Sequence, residues 1–499
     1  MPIRKARYHT GMQAMVSHLY GSSLTLLTDL YELTMADAYW KSGRAGRLAV
    51  FVATFRDHPF AGGYTVAAGL ETLAEWLDAL RFEPDDLEYL GGLRGNDGNP
   101  LFDPDFLEYL SDLRFECDVD AVPEGRAVFP NEPLVRVTGP LLQCQIIETA
   151  VLNLINFQTL VATKAARVVD AAGNDPVIEF GLRRAQGPDG GVTASRAAFI
   201  GGCEATSNVL AGKLFGIPVR GTLAHSWVMS FENEIDAFQA YADAMPNNCV
   251  FLVDTYDSIV GVERAIAVGQ RLRDRGVRMA GIRLDSGDLA YLSIEARRML
   301  DDAGFKDATI LASNNLDEGL IASLKAQGAR IDAWGVGTKL VTAYDEPALG
   351  GVYKLTAIRD EDDQRWDYRI KVSEQFRKAS IPGLLQVRRF HRDGRFIGDA
   401  IYDEQMGMPH VRLVVDPSDG TRRKRIPDDA VGADLLVPVF RKGRRVADPE
   451  PLETIRRRCR DELSGFHPGI RRLVNPHEYP AGLADNLFDL RSRMVLERR

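Results

Sequence analysis

Between residues 177 and 338 six short apolar runs each end in residues able to handle charge. Residues 177–180 lead into Gly181-Leu182-Arg183-Arg184, and 218–220 into Gly221-Thr222-Leu223-Ala224-His225. Residues 250–253 lead into Asp254-Thr255-Tyr256-Asp257, and 279–282 into Arg283-Leu284-Asp285-Ser286-Gly287-Asp288. The last two, 309–312 and 331–334, give way to Ser313-Asn314-Asn315 and Gly335-Val336-Gly337-Thr338-Lys339. Arg183 and Arg283 follow apolar strands closely, and an arginine buried there needs an anion. Gly335 and Gly337 carry no side-chain bulk, so backbone N–H groups together with the Thr338 hydroxyl could cradle a phosphate. The spacing to Lys339 is too short for a Walker A loop. Asp254, Asp257, Asp285 and Asp288 could hold magnesium or its waters against a phosphate group, or could cap the helices that follow them. His225 has the side chain of a nucleophile or a proton carrier, and equally of a satisfied structural histidine. Lys354, Lys371 and Lys378 are further candidate partners for phosphate or carboxylate, or solvated surface groups.

The elements that must position these residues follow from periodicity. Each run has strand length, and the segments between them have helical spacing, as at Ile266 and Leu272 or at Ile321 and Leu324 before Gly328. The alternation predicts an α/β fold with an irregular (β/α) barrel, whose strand ends converge on one mouth. Six strands are read there, and 353–358 reads as a further strand. Residues 23–139 read as a separate α+β unit, the part that the resemblance given below implies is an α/β sandwich domain. It has a helix over 24–40 with Thr28 and Asp29 as capping candidates, a strand over 48–55 and an amphipathic helix over 70–80. Residues 141–172, apolar on most sides, predict a long helix buried between domains. Downstream, 386–390 and 395–402 alternate around Asp393-Gly394, a strong hairpin signal. The expected organisation is a flexible tail over 1–22, the sandwich over 23–139, the barrel with the active site over 140–358, and a segment over 359–499 that packs back on both.

Composition narrows the class. The 499 residues carry a formal charge of -9, and no Lys/Arg block outweighs the acidic residues except around Arg422-Arg423-Lys424-Arg425, so no nucleic-acid coat is expected. The five cysteines, Cys117, Cys144, Cys203, Cys249 and Cys459, show neither close pairing nor zinc-ligand spacing and fit buried thiols in a reducing compartment. No run is read as approaching membrane-spanning length, and the first residues lack the apolar core of a secretory signal. A cytoplasmic protein with no membrane partner is expected. Arg4, Lys5 and Arg7 precede any acidic residue, as in transit peptides, but a disordered tail fits them as well, with Met12 or Met15 as alternative starts.

Five stretches together carry a resemblance. They are Leu26-Leu27-Thr28-Asp29-Leu30-Tyr31-Glu32-Leu33-Thr34-Met35, the run from Glu179 through Arg183 to Gly191, Gly221-Thr222-Leu223-Ala224-His225-Ser226, Arg283-Leu284-Asp285-Ser286-Gly287-Asp288, and Gly335-Val336-Gly337-Thr338. In this order they resemble the nicotinate phosphoribosyltransferase family, from about Leu24 to Pro476-His477-Glu478-Tyr479-Pro480. The resemblance implies a type II phosphoribosyltransferase fold and a homodimer with shared active sites. It implies nicotinate, phosphoribosyl pyrophosphate and ATP as substrates, with magnesium as cofactor. It implies nicotinate stacked by Tyr31 of the partner subunit and covered by Phe180, with Thr222 near the pyridine and Arg283 at the carboxylate. Arg183, Gly335, Gly337 and Thr338 would hold phosphoribosyl pyrophosphate, and Asp285 and Asp254 the metal. His225 would become a phosphohistidine, oriented by Glu232 or Asp254. Nicotinamide or quinolinate phosphoribosyltransferase, an aldolase-type barrel and a catalytically silent metabolite-binding protein remain alternatives at this point.

Overall fold

The computed structural model describes residues 24–360, 362–373 and 379–498. The expected tail over 1–22 and Lys378 lie outside the described residues. The chain divides into two compact units. The first takes the residues up to Thr159, Ala348–Arg472 and those from Pro476 onward, and the second takes Leu160–Pro347 and Leu473–Asn475.

The second unit is built on a parallel six-stranded sheet. Its order is Ala205–Thr206, Val177–Glu179, Ala333–Val336, Thr309–Asn314, Gly281–Leu284 and Val250–Leu252. Five of the six expected strands are present. The sixth, at 218–220, is reduced to a single parallel bridge between Val219 and Thr206, since Pro218 has no N–H to give to a ladder. In its place Ala205–Thr206 enters the sheet, a pair too short to register as a periodic signal. The pairing aligns the carboxyl ends: Arg283 lies opposite Leu311 and Leu252, and Gly335 opposite Ser313 and Ile178. The helices Ser258–Asp274 and Leu289–Asp302 start where Asp257 and Asp288 accept the N–H groups of Val260 and Tyr291. Two of the four candidate aspartates are therefore caps, which satisfy helix N–H groups that would otherwise be orphaned.

The first unit holds a seven-stranded antiparallel sheet and a six-stranded mixed one. The strand Gly351–Arg359 pairs along its length with Leu48–Phe55. The change of unit therefore falls at Pro347, where the sequence places the barrel's end at 358. The hairpin Leu385–Arg392 to Arg395–Asp403 turns through Asp393 (φ 51°) and Gly394 (φ 73°), the two positive φ values that a tight two-residue connection requires.

The segment Leu141–Ala172 corrects one reading: by length and composition it is able to cross a membrane. It forms Leu141–Ile146 and then Glu148–Ala172, and its polar side chains find partners inside the protein. In the first unit Gln158 donates to the Thr72 hydroxyl (3.0 Å) and Thr159 to the Ala68 carbonyl (3.0 Å). In the second unit Lys164 pairs with Glu318 (2.8 Å) and Asp345 (2.5 Å), and Arg167 with Glu318 (2.8 Å). It is a core helix, and these polar residues interrupt the apolar run that a spanning helix would show. Glu318 faces two buried cations. Glu318→Ala should cost about 3–5 kcal/mol, because removing one partner strands a buried charge. Denaturant unfolding checks this, and a loss below about 1 kcal/mol would mean that the ion pairs contribute little.

Candidate active site

The strand ends of the second unit converge on the Arg283 guanidinium. Its Nε donates to Ser313 Oγ (2.6 Å), its Nη1 to Thr222 Oγ1 (3.1 Å) and the Leu223 carbonyl (3.4 Å), and its Nη2 to Asp285 Oδ1 (2.9 Å). Four of its five N–H donors are thus used. Ser313 also donates to Asp285 Oδ1 (2.6 Å). Partial burial pushes the Asp285 carboxyl up, but the Ser313 hydrogen bond and the Arg283 charge outweigh it and hold the group below the usual carboxylate range. Ser313 received no role from sequence, although its place directly after an apolar run was a signal of the same kind as that of Arg283.

Phe180 packs beneath this pair, with its ring centroid 5.7 Å from the Arg283 guanidinium carbon. Gly335 makes this position available. A Cβ there would lie 2.6 Å from the Phe180 ring and 3.2 Å from Ser313 Cβ. Inside the sheet Gly335 thus has a packing task, while Gly337 and Thr338 stand half-buried at the strand end. Glu179, fully buried, fixes the turn after Phe180 by accepting the Gly181 N–H and the hydroxyls of Ser195 (2.8 Å) and Thr206 (2.6 Å). The turn Leu182–Arg184 then runs outward, so Arg183 is exposed. The expectation that strand-end burial would force an anion on Arg183 does not hold.

His225 opens the short helix His225–Met229. Its Nδ1 lies 3.1 Å from Thr255 Oγ1 and its Nε2 3.7 Å from Asp285 Oδ2, with the side chain 40% exposed. The two groups facing the imidazole are Thr255 and Asp285, in place of the expected Glu232 or Asp254. Asp254 Oδ2 accepts the Asp285 N–H (2.9 Å) and the Ser286 hydroxyl (2.6 Å), whereas its Oδ1 is buried without a hydrogen-bond partner. Of the two expected metal carboxylates, Asp254 has its Oδ1 without a hydrogen-bond partner, while Asp285 gives Oδ1 to Arg283 and Ser313 and turns Oδ2 toward His225. Arg283, Thr222, Phe180, Asp285 and His225 are therefore brought together.

Tyr31 belongs to the first unit, on the helix Leu30–Lys41, and is 47% exposed. Burial and the neighbouring carboxylates of Glu148, Glu32 and Asp29 push its phenol well up, so it is a neutral ring. Two candidate lysines also lie in this unit. Lys354, Lys371 and Arg56 line one cavity of about 50 Å³. Burial lowers the Lys354 pKa, Glu148 opposes this, and Lys371 and Arg56 add to it. Arg56 was not read from the sequence, where it follows strand Leu48–Phe55 without any motif.

A parallel α/β unit with a charge cluster at its strand carboxyl ends, joined to an antiparallel α/β sandwich, is the architecture of type II phosphoribosyltransferases. The crystal structure of human nicotinic acid phosphoribosyltransferase superposes with a TM-score of 0.81 at 33% identity, covering 94% of this chain and 99% of that one. Nicotinate-nucleotide pyrophosphorylase from Pyrococcus furiosus, at 21% identity and a TM-score of 0.66, covers 88% of this chain and 95% of its own and shares the fold. The family model for the nicotinate phosphoribosyltransferase N-terminal domain matches 26–156, that for the nicotinate phosphoribosyltransferase family 177–364, and that for the C-terminal domain 386–491. Nicotinate phosphoribosyltransferase of Bacillus subtilis (strain 168) is 45% identical over 95% of this chain and 96% of its own length, and that of Homo sapiens 36% identical over 93% and 95%. The chain belongs to the nicotinate phosphoribosyltransferase family.

Because Gly335 makes room for the Phe180 ring, Gly335→Ala should cost about 1–3 kcal/mol through overpacking and displace the ring. Thermal unfolding with a structure of the variant checks this. Unchanged stability and an unmoved ring would mean that the space under Phe180 is not needed.

Proposed function

We propose that the protein makes nicotinate mononucleotide and pyrophosphate from nicotinate and phosphoribosyl pyrophosphate in NAD salvage, with ATP hydrolysis coupled through His225. Membership of the family supports the transfer. The observation that carries the coupling is the seating of His225 between Thr255 and Asp285. An Nδ1–H donated to Thr255 Oγ1 leaves the lone pair on Nε2, the nitrogen beside the carboxylate. Nε2 then attacks the γ-phosphorus of ATP: the Nε2–P bond forms, the bond to the ADP oxygen breaks and ADP leaves. Asp285 offsets the positive charge that the ring acquires.

In the transfer the nicotinate nitrogen bonds to the ribosyl carbon as the bond to pyrophosphate breaks. Positive charge grows on the sugar and negative charge on the leaving group, so the protein's main tasks are positioning and charge neutralisation. Phe180 supplies one face for the pyridine, and Tyr31 of a second copy in a homodimer supplies the other. Thr222 and Arg283 face the ring substituent. The last Nη2–H of Arg283 is available to the nicotinate carboxylate, and Asp285 competes for the same nitrogen, so acid binding loosens Asp285 from its arginine. Gly337 and Thr338, with Arg183 on its outward turn, serve the phosphates of phosphoribosyl pyrophosphate. Arg56, Lys354 and Lys371 form a second anion cluster of the same kind. Magnesium, which keeps most of its waters and takes few protein carboxylates, fits the orphaned Oδ1 of Asp254 and would supply charge neutralisation at the pyrophosphate. The five buried free thiols support a cytoplasmic setting.

His225→Ala should abolish acid-labile labelling from γ-labelled ATP while slow, uncoupled nicotinate mononucleotide synthesis persists. Undiminished labelling of the variant would sink the phosphohistidine. Arg283→Ala removes a charge-assisted contact of roughly 1.5–3 kcal/mol, which should weaken nicotinate binding about ten- to a hundredfold and phosphoribosyl pyrophosphate binding far less. Dissociation constants for both substrates decide it, and the reverse pattern would make Arg283 a phosphate ligand.

A further inference from the structure

The basic block Arg422-Arg423-Lys424-Arg425 has no part in the chemistry above. In the structure it occupies the strand Arg423–Arg425, at the edge of the first unit's mixed sheet, paired only with Leu413–Val415. Charge on an edge strand guards against strand addition, which explains cations there but not what they border. Arg422, Arg423 and Lys424 line a cavity of about 810 Å³ within the first unit, which Arg56 and His477 also line.

The charges of this cavity do not cancel. Arg422 takes two of its three acids, pairing with Glu478 and lying 3.5 Å from Asp416. Asp57 is the remaining acid on the lining, against Arg56, Arg423 and Lys424. Among the described residues none of these three cations has an ion-pair partner, and Arg423 spends its Nε on the Gly420 carbonyl (2.8 Å). The volume falls within the 300–1,000 Å³ of small-molecule sites, far above what one phosphate fills. Pro130 and Pro480, both half-buried, add apolar surface to the lining, on which a ribose or a base can lie.

We propose that this cavity binds a polyphosphate, carried on a nucleoside, at a site separate from the His225 mouth. Arg423 and Lys424, with Arg56 on the same lining, face the phosphate chain, and the Pro130 and Pro480 surfaces receive the nucleoside. The site is built from the first unit alone and needs no residue of the second.

Calorimetric titration of the full-length His225→Ala protein, which cannot consume ATP through the phosphohistidine, tests this. ATP, inorganic tripolyphosphate and adenosine are the probes, compared with the same protein carrying R423E and K424E. The expected result is an ATP component weakened at least tenfold by the charge reversal, at roughly tenfold or more for each charge-assisted hydrogen bond removed, and weakened less by R423Q with K424Q. Adenosine should bind weakly or not at all. ATP binding tighter than tripolyphosphate assigns the site to a nucleotide, and equal binding assigns it to the free polyphosphate. Identical ATP and tripolyphosphate isotherms with and without the charge reversal, in variants whose thermal unfolding is unchanged, would overturn the proposal.

Discussion

The neutralisation of Arg283 by Asp285 is the contact on which the mouth of the second unit depends. A guanidinium that is 15% exposed and 2.9 Å from a carboxylate cannot lose its partner cheaply, because the desolvated charge would then stand alone. The same carboxylate lies 3.7 Å from His225 Nε2 through its Oδ2. One aspartate therefore holds the arginine through Oδ1 and approaches the histidine through Oδ2. Ser313 stiffens the arrangement by donating to Asp285 while accepting from Arg283, so the pair is held by a closed triangle of hydrogen bonds as well as by charge.

That triangle exists because of register. Ser313 and Arg283 stand on neighbouring parallel strands, Leu311 opposite Arg283 and Ser313 opposite Gly335. A shift of one residue would turn these side chains to the other face of the sheet. Gly335 completes the arrangement by vacating the volume that Phe180 fills, which brings an aromatic face under the guanidinium. Glu179 holds the chain beyond Phe180 through the Gly181 N–H and the Ser195 and Thr206 hydroxyls, three donors that keep a buried carboxylate satisfied.

The parallel sheet was legible in the sequence because its strands are short apolar runs that end in polar clusters, and capping was legible for the four aspartates as a group, although their spacing did not single out Asp257 and Asp288. The convergence of Thr222, Phe180, Arg283 and His225 followed from the rule that strand carboxyl ends share one mouth. Other features depend on three-dimensional packing, which periodicity does not encode. Ala205–Thr206 is too short to have a period. Arg183 sits one residue beyond a Leu that begins an outward turn, so its nearness to a strand says nothing of its burial. Gly335 and Gly337 look alike in sequence, yet one lies inside the sheet against a ring and the other caps a short helix. The helix Leu141–Ala172 had its membrane-like length hidden by Lys164 and Arg167, whose ion pairs are made with residues more than a hundred positions away.

Charge balance separates the two groups of cations. At the second unit's mouth Arg283 is already matched by Asp285, so the pair is close to neutral. In the first unit Arg56, Lys354 and Lys371 crowd one small cavity, and the neighbouring positive charges add to burial in lowering the Lys354 pKa. Such a cluster is destabilised by its own repulsion until an anion arrives, and the binding energy of that anion includes relief of the repulsion. The unmatched cluster can hold a multiply charged group in water, where a single surface ion pair contributes at most about 1 kcal/mol.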